Sequence, residues 1–301
     1  MPAQPVASPD VAVRTEPRIT VVVITRNRRE QLVRTLSHLT ALPERPPVVV
    51  VDNASDDGTP DIVRSRFPYV RVVALPANQG ALARTVGVRA ATTPYVAFSD
   101  DDSWWAARAL SRAADHFDAA PRLGLLASRV VVEPGGAVDP VCRQMAASPL
   151  APAPDLPGPP VLGFVACGSV VRRRAFLQVG GFHPVIFFAG EETVLALDLA
   201  AAGWGLAYVD KVTAHHQPEA GSERHGRDRL QARNALLSSW LRRPAPGALR
   251  DTLRVLRRYG EPHQRGALHD AVRRLPAALA GRRPVPGHLE AQLRLLEGRR
   301  G

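Results

Sequence analysis

Apolar residues in the first 130 positions come in short unbroken runs rather than in alternation. ITVVVI (19–24), VVVVD (48–52), VRVVAL (70–75) and YVAFSD (95–100) are β-branched stretches of strand length. Runs without polar interruption fit strands covered on both faces, the condition of a parallel sheet. Between them, apolar residues recur at helical spacing. One such segment runs from about 29 to 39, with Leu32, Leu36 and Leu39 on one face. A second covers 59–66, entered through Gly58-Thr59-Pro60, and a third covers about 80–91. Strand and helix in alternation predict βαβ units and an α/β fold with a mainly parallel central sheet flanked by helices.

After LGLLASRVVV (123–132) the pattern breaks, and residues 133–160 are dense in Pro, Gly and Ala, which predicts an irregular or mobile loop. Order returns with VLGFVACGSVV (161–171), a short basic helix, a helix through EETVLALDLAAAGW ending at Gly203, and a strand through WGLAYVDKVTAHH. From about Arg227 onward, arginine-rich helical segments are broken at RRPAPG, RYGEPH and GRRPVPG. The predicted organisation is a flexible tail over 1–17, a domain over 18–240 and an Arg-rich helical C-terminal extension over 241–301. The domain divides into a first half (18–130), the Pro-rich loop (133–160) and a second half (161–240).

Bulk properties narrow the function. The N-terminus has no continuous apolar core and the 161–171 run is too short to span a bilayer, so a cytoplasmic protein is expected. Cys142 and Cys167 are the only cysteines and lack metal spacing, which predicts reduced thiols. The formal net charge of +11 invites a nucleic-acid reading. Against it, Lys211 is the only lysine, so the charge reflects a chain-wide preference for Arg, and no aromatic-basic interleaving offers a stacking surface. The expected partner is an anionic small molecule or membrane surface, not nucleic acid.

Ligands of open α/β sheets bind beyond the carboxyl ends of the strands. Here those ends read Thr25-Arg26-Asn27, Asp52-Asn53, Asn78-Gln79-Gly80 and Asp100-Asp101-Asp102. VDNASDDGT fails as a calcium loop, because Asp57 stands where a glycine is required and Val63 where the bidentate Glu belongs. Asp52 is then free to bond a sugar hydroxyl or base edge. The three aspartates repel one another unless a cation joins them. Pleat alternation would put Asp100 and Asp102 on one side and Asp101 on the other, a pair suited to Mg²⁺ or Mn²⁺ shared with phosphate oxygens. The bland alternative is that one aspartate caps a helix starting near Trp104.

The series VVVITRNRREQL, VVVVDNASDDGT, ANQGALARTVGVRAA and YVAFSDDDSWW, followed by ACGSVVRRRAFLQVGGFHPVIFFAGEETVLALDLAAAGWGLAYV and AHH, resembles family 2 glycosyltransferases with the Rossmann-like GT-A fold. The likeness covers about 18–240. It implies transfer of a sugar from a nucleoside-diphosphate donor to a hydroxyl-bearing glycan or lipid-linked acceptor, as in polysaccharide biosynthesis, with inversion and a divalent metal. It also implies that Thr25, Arg26, Asp52, Asn78, Gly80 and Arg84 line the nucleotide-sugar pocket together with Asp100 and Asp101. Asp100 and Asp102 would form the DxD-type metal site, completed by His216 or His215. Glu192 would be the general base, with Glu191 as the other candidate.

Elementary chemistry gives these roles sense. Departure of a diphosphate leaves an anion that a metal stabilises as Lewis acid. An acceptor hydroxyl is a poor nucleophile until a carboxylate takes its proton. A glutamate early in a helix is held in its ionised form by the helix dipole. In the acidic helix, Val194-Leu195 and Asp198 depart from the family's usual Asp-Leu and following basic residue, which leaves the acceptor side less defined than the donor side. Two other readings stay open: a nucleotidyltransferase on a similar scaffold, and a nucleotide-binding protein without turnover. For the C-terminal segment, Leu249, Leu253 and Leu256 among arginines predict either helices packed on the domain with solvated basic faces, or an in-plane contact with anionic lipid.

Overall fold

The structure is a computed structural model that describes residues 18–219 and 226–298; the tail expected over 1–17 lies outside them. β1 (Ile19–Thr25), α1 (Arg29–Thr40), β2 (Val48–Asp52), α2 (Thr59–Arg66), β3 (Arg71–Ala74), α3 (Leu82–Ala90) and β4 (Tyr95–Asp100) alternate as the pattern requires. They are followed by β5 (Ser103–Trp105), α4 (Ala109–Ala119), β6 (Leu123–Val132), β7 (Ala137–Val138) and α5 (Pro140–Ala146). Next come β8 (Ser169–Arg172), α6 (Arg173–Gln178), α7 (Glu192–Ala201) and β9 (Gly205–His216). The described chain closes with α8 (Arg227–Arg242), α9 (Ala245–Arg257), α10 (Pro262–Ala280) and α11 (Gly287–Glu297).

One mixed sheet runs in the order β3-β2-β1-β4-β8-β6-β9-β5, with β7 added to β6. β1 is parallel to both β2 and β4, while β8 runs antiparallel between β4 and β6. Alternation along β1 sorts its side chains: Val21 and Val23 join a core with Leu32, Leu36, Leu39 and Phe117, while Val22 and Ile24 join one with Val88, Phe98, Phe176 and Phe182. Both faces are thus covered, and each fully buried Val, Leu or Phe contributes about 1.5–3 kcal/mol. β3 departs from the expectation. As the sheet's edge it has no fully buried residue, so its apolar run serves one neighbour only.

Two further expectations are corrected. Trp104 does not begin a helix; it lies in β5, and α4 starts five residues later behind Arg108, so no aspartate caps it. The Pro-rich stretch is not irregular throughout: Asp139 accepts from the Val141 N–H at 2.8 Å and caps α5, which buries Cys142 and Met145. Both cysteines are free thiols. The C-terminal helices pack on the α/β body: Leu236, Leu237 and Leu241 of α8 and Ala271 and Ala278 of α10 bury against Ile186 and Val194, and Leu289 of α11 buries against Leu197. Among the described residues no helix is long and apolar enough to cross a membrane.

Candidate active site

Strand register assembles the rim before any side chain is considered. Thr25 pairs with Asp52 across β1 and β2, and Ile24 with Asp100 across β1 and β4. Asp52 is 1% exposed; its Oδ2 accepts from the Ser55 N–H at 2.9 Å, while Oδ1 has no partner among the described residues. A buried acceptor left open costs about 1–3 kcal/mol, which a ligand's donor would recover. Thr25 is buried beside it and Arg26 is exposed at the mouth.

The third strand end is built differently from the sequence reading. Asn78 accepts from the Gly80 N–H at 2.9 Å, so its side chain closes its own turn. Asn53, not among the expected site residues, bonds the Gly80 carbonyl through Nδ2 at 3.1 Å and the Gln79 N–H through Oδ1 at 3.0 Å. Gly80 has φ of +56°, and a Cβ there would stand 2.1 Å from the Phe187 carbonyl oxygen. That carbonyl in turn accepts from the Ala81 N–H at 2.8 Å. Only glycine lets the donor-side loop approach the segment that leads into α7.

The aspartates do not follow simple pleating, because β4 ends at Asp100 and the next two residues turn. Asp100 Oδ1 lies 2.5 Å from Arg84 Nη2. Asp101 is 8% exposed and pairs with Arg28 Nε at 2.7 Å; Arg28 Nη2 reaches Asp102 at 2.9 Å. Burial pushes the Asp101 carboxyl up to about 7, with Arg28 pulling it down and Asp102 and Asp100 adding to the rise. Two arginines therefore do part of the balancing expected of a cation. Arg28 is not among the expected site residues, although it sits just past the first strand end.

β5 pairs antiparallel with the end of β9, setting Ser103 opposite His216 and Trp104 opposite His215. The pleat separates the two imidazoles. His216 Nε2 is 3.4 Å from Asp102 Oδ1, whereas His215 bonds Glu133 at 2.9 Å and stacks on Trp104. Burial disfavours the charged form of His216, but the hydrogen bond to Asp102 and the charges of Asp102 and Asp100 outweigh it and raise its pKa.

Arg84 joins the two halves of the site. It is 1% exposed, and besides Asp100 it pairs with Glu191 Oε1 at 2.9 Å. Burial opposes its charge, but Asp100 and Glu191 overcome this and raise its pKa. Glu191 is 2% exposed and committed to that pair. Glu192 opens α7 and faces a cavity of about 1020 Å³. Desolvation, reinforced by the neighbouring Glu191, pushes its carboxyl up to about 8, against a backbone hydrogen bond and the Arg84 charge that pull it down, so its place at the helix start does not keep it ionised. The turn ahead of it, with φ of +68° at Ala189 and +92° at Gly190, is held by the fully buried Asn234 of α8. Asn234 Nδ2 donates to the carbonyls of Phe188 and Ala189 at 2.6 and 2.7 Å. No local signal in the sequence marks Asn234.

Among the described residues, no group of three or more His, Cys, Asp and Glu side chains is arranged to hold a metal. The structure brings Asp102 and His216 together and turns Asp100 to Arg84. An oxygen and a nitrogen ligand fit a divalent ion that takes its remaining positions from a diphosphate and water.

Residues 20–180 match the family model described as Glycosyl transferase family 2. The chain is 29% identical over 275 residues to the N-acetylglucosaminyl-diphospho-decaprenol L-rhamnosyltransferase of Mycobacterium tuberculosis, covering 77% of this chain and 89% of that one. It is 32% identical over 198 residues to the pre-mycofactocin glycosyltransferase of the same organism, covering 63% of this chain and 40% of that one. Among solved structures, the mannosyltransferase PcManGT from Pyrobaculum calidifontis, in complex with GDP-Man and Mn²⁺, aligns with a TM-score of 0.58 at 23% identity, covering 89% of this chain and 76% of that one. S. aureus TarS 1–349 in complex with UDP-GlcNAc aligns with a TM-score of 0.54 at 17% identity, covering 74% and 72%. At such identities the structural likeness speaks for the fold, a GT-A architecture.

Proposed function

Because this chain belongs to glycosyltransferase family 2, we propose that it transfers a sugar from a nucleoside-diphosphate donor to the hydroxyl of a lipid-linked glycan acceptor, with inversion. The observation that carries this reading is the buried Arg84, which fastens Asp100 on the donor side to Glu191, next to Glu192 on the acceptor side. Asp52 offers its open Oδ1 to a hydroxyl or base N–H of the nucleotide, with Thr25 beside it and Arg26 at the mouth. Asp102 and His216 would hold a divalent ion, which when bound supplies positive charge against the departing diphosphate.

Glu192 takes the acceptor's hydroxyl proton as that oxygen bonds to the anomeric carbon. The bond from that carbon to the diphosphate oxygen breaks, and its electron pair leaves with the nucleoside diphosphate. Attack opposite the leaving group inverts the anomeric centre. The cavity beside Glu192, walled in part by Val161, Leu162, Phe164 and Leu236, and the polyprenyl-linked substrate named for the mycobacterial relative both support a lipid-linked acceptor. The test is to incubate the protein with nucleotide sugars, Mn²⁺ and a polyprenyl-diphosphate-linked sugar, and to resolve the products. Nucleoside diphosphate released in step with a lengthened glycan is expected, and chelator should stop both. Pyrophosphate from a nucleoside triphosphate, or donor binding with no transfer to any acceptor, would overturn the reading.

A further inference from the structure

The cavity at Glu192 is walled on its far side by the C-terminal helices: Asp251, Arg254 and Val255 of α9 and Leu293 and Leu296 of α11 line it. α9 is therefore a wall with two faces. Residues 251, 254 and 255 look inward, while Leu249, Leu253 and Leu256 fall on the opposite side at helical spacing. Those leucines are 52%, 53% and 45% exposed, and Tyr259, just past the helix end, is 50% exposed. A contiguous apolar stripe on one helix face marks an interaction surface, where scattered exposed leucines would not.

The chemistry beside the stripe selects the partner. Arg257 and Arg258 lie exposed beside the stripe, in a chain of formal net charge +11, while Arg250 turns to Glu290 and Glu297 and Arg254 reaches the cavity wall. Arg254 and Arg258 are partly balanced by Asp251, Glu297 and Glu261, while Arg257, exposed, forms no ion pair among the described residues. A helix with leucines on one face, arginines at its border and an aromatic at its end suits the plane between acyl chains and acidic headgroups.

We propose that the outer face of α9 docks on an anionic bilayer surface, holding the cavity and Glu192 over the membrane. The inference builds on the lipid-linked acceptor, because it explains how a substrate held in the bilayer meets a base inside a cavity. The docking itself stands on the exposed stripe and its charge, whichever sugar is transferred. Basic contacts near such a surface are screened by ions, so binding should weaken steeply as salt rises.

The full-length protein should be floated with vesicles of phosphatidylcholine alone, and with vesicles containing about a third phosphatidylglycerol. It should rise with the anionic vesicles only, and lose that association in high salt. Leu253→Glu combined with Leu256→Glu should weaken vesicle binding by about tenfold or more. Both sites are exposed, so the variant's melting temperature should hold, as should transfer to a short-chain acceptor in detergent. No flotation, or flotation that the double variant retains, overturns the docking. So does sedimentation showing a wild-type dimer that the same variant dissolves, since the stripe would then cover a second copy of the chain. Flotation without any transfer activity would support the membrane surface while sinking the enzymatic reading.

Discussion

The donor rim and the C-terminal helices both gather arginines against acids, but with opposite design. At the rim, the fully enclosed Arg84 faces Asp100 and Glu191, and a second arginine, Arg28, covers Asp101 and Asp102. In the helices, Arg243 meets Glu290, Asp251 and Glu297 while Arg250, Arg254 and Arg294 crowd the same acids. The first arrangement has one cation for every two acids and no substitute. The second is a shared network in which one loss can be absorbed. A region with no spare partner is built around a task, and a region with many is built for support.

The largest break in that comparison should come from Glu192→Gln. It removes the proposed base while leaving the ion pairs of Arg84 in place, so kcat should fall by about 10²–10⁴. Thermal stabilisation by nucleoside diphosphate with Mn²⁺ should persist, which separates base from donor site. Arg84→Met comes next. It leaves the buried Glu191 and the half-buried Asp100 unpaired and should cost about 3 kcal/mol or more in urea unfolding. Arg243→Met should cost about 1–3 kcal/mol, because Arg250 and Arg294 still reach Glu290, and nucleotide binding should survive. Equal losses for the two arginines would erase the distinction.

The gentlest probe is pH. Glu192, raised from 4.5 to about 8, keeps a proton in the native chain that the unfolded chain releases. Its contribution to stability is therefore complete below about pH 4.5 and lost as pH climbs through about 8. Activity should run the other way, rising over that limb as the base ionises. Glu192→Gln should remove this part of the stability slope.

The same contrast explains how much was legible in the sequence. Ile19–Thr25, Val48–Asp52 and Tyr95–Asp100 were readable because a strand buried on both faces writes itself as an unbroken apolar run. α1 and α2 were readable because one helix face must be apolar. The three-residue β5 was missed, since its only reason to be extended is a partner strand more than a hundred residues away. The aspartates' arrangement was misjudged for a related cause: alternation holds only while a strand continues, and β4 stops at the first of them. Arg28, Arg84 and Asn234 owe their roles to distant elements, and no window around them contains those partners. The sequence shows three adjacent acids that need positive charge; that arginines supply much of it is a property of the tertiary structure.

The pairing of Ser103 with His216 also sets a timetable. Chains emerge from the ribosome N-terminus first, so the nucleotide crevice can condense while the histidine is still being synthesised. The strand carrying it must then find an edge laid down long before, the kind of distant closure that slows folding. A nascent chain halted before that point would carry the rim acids of β2 and β4 with no imidazole yet beside Asp102.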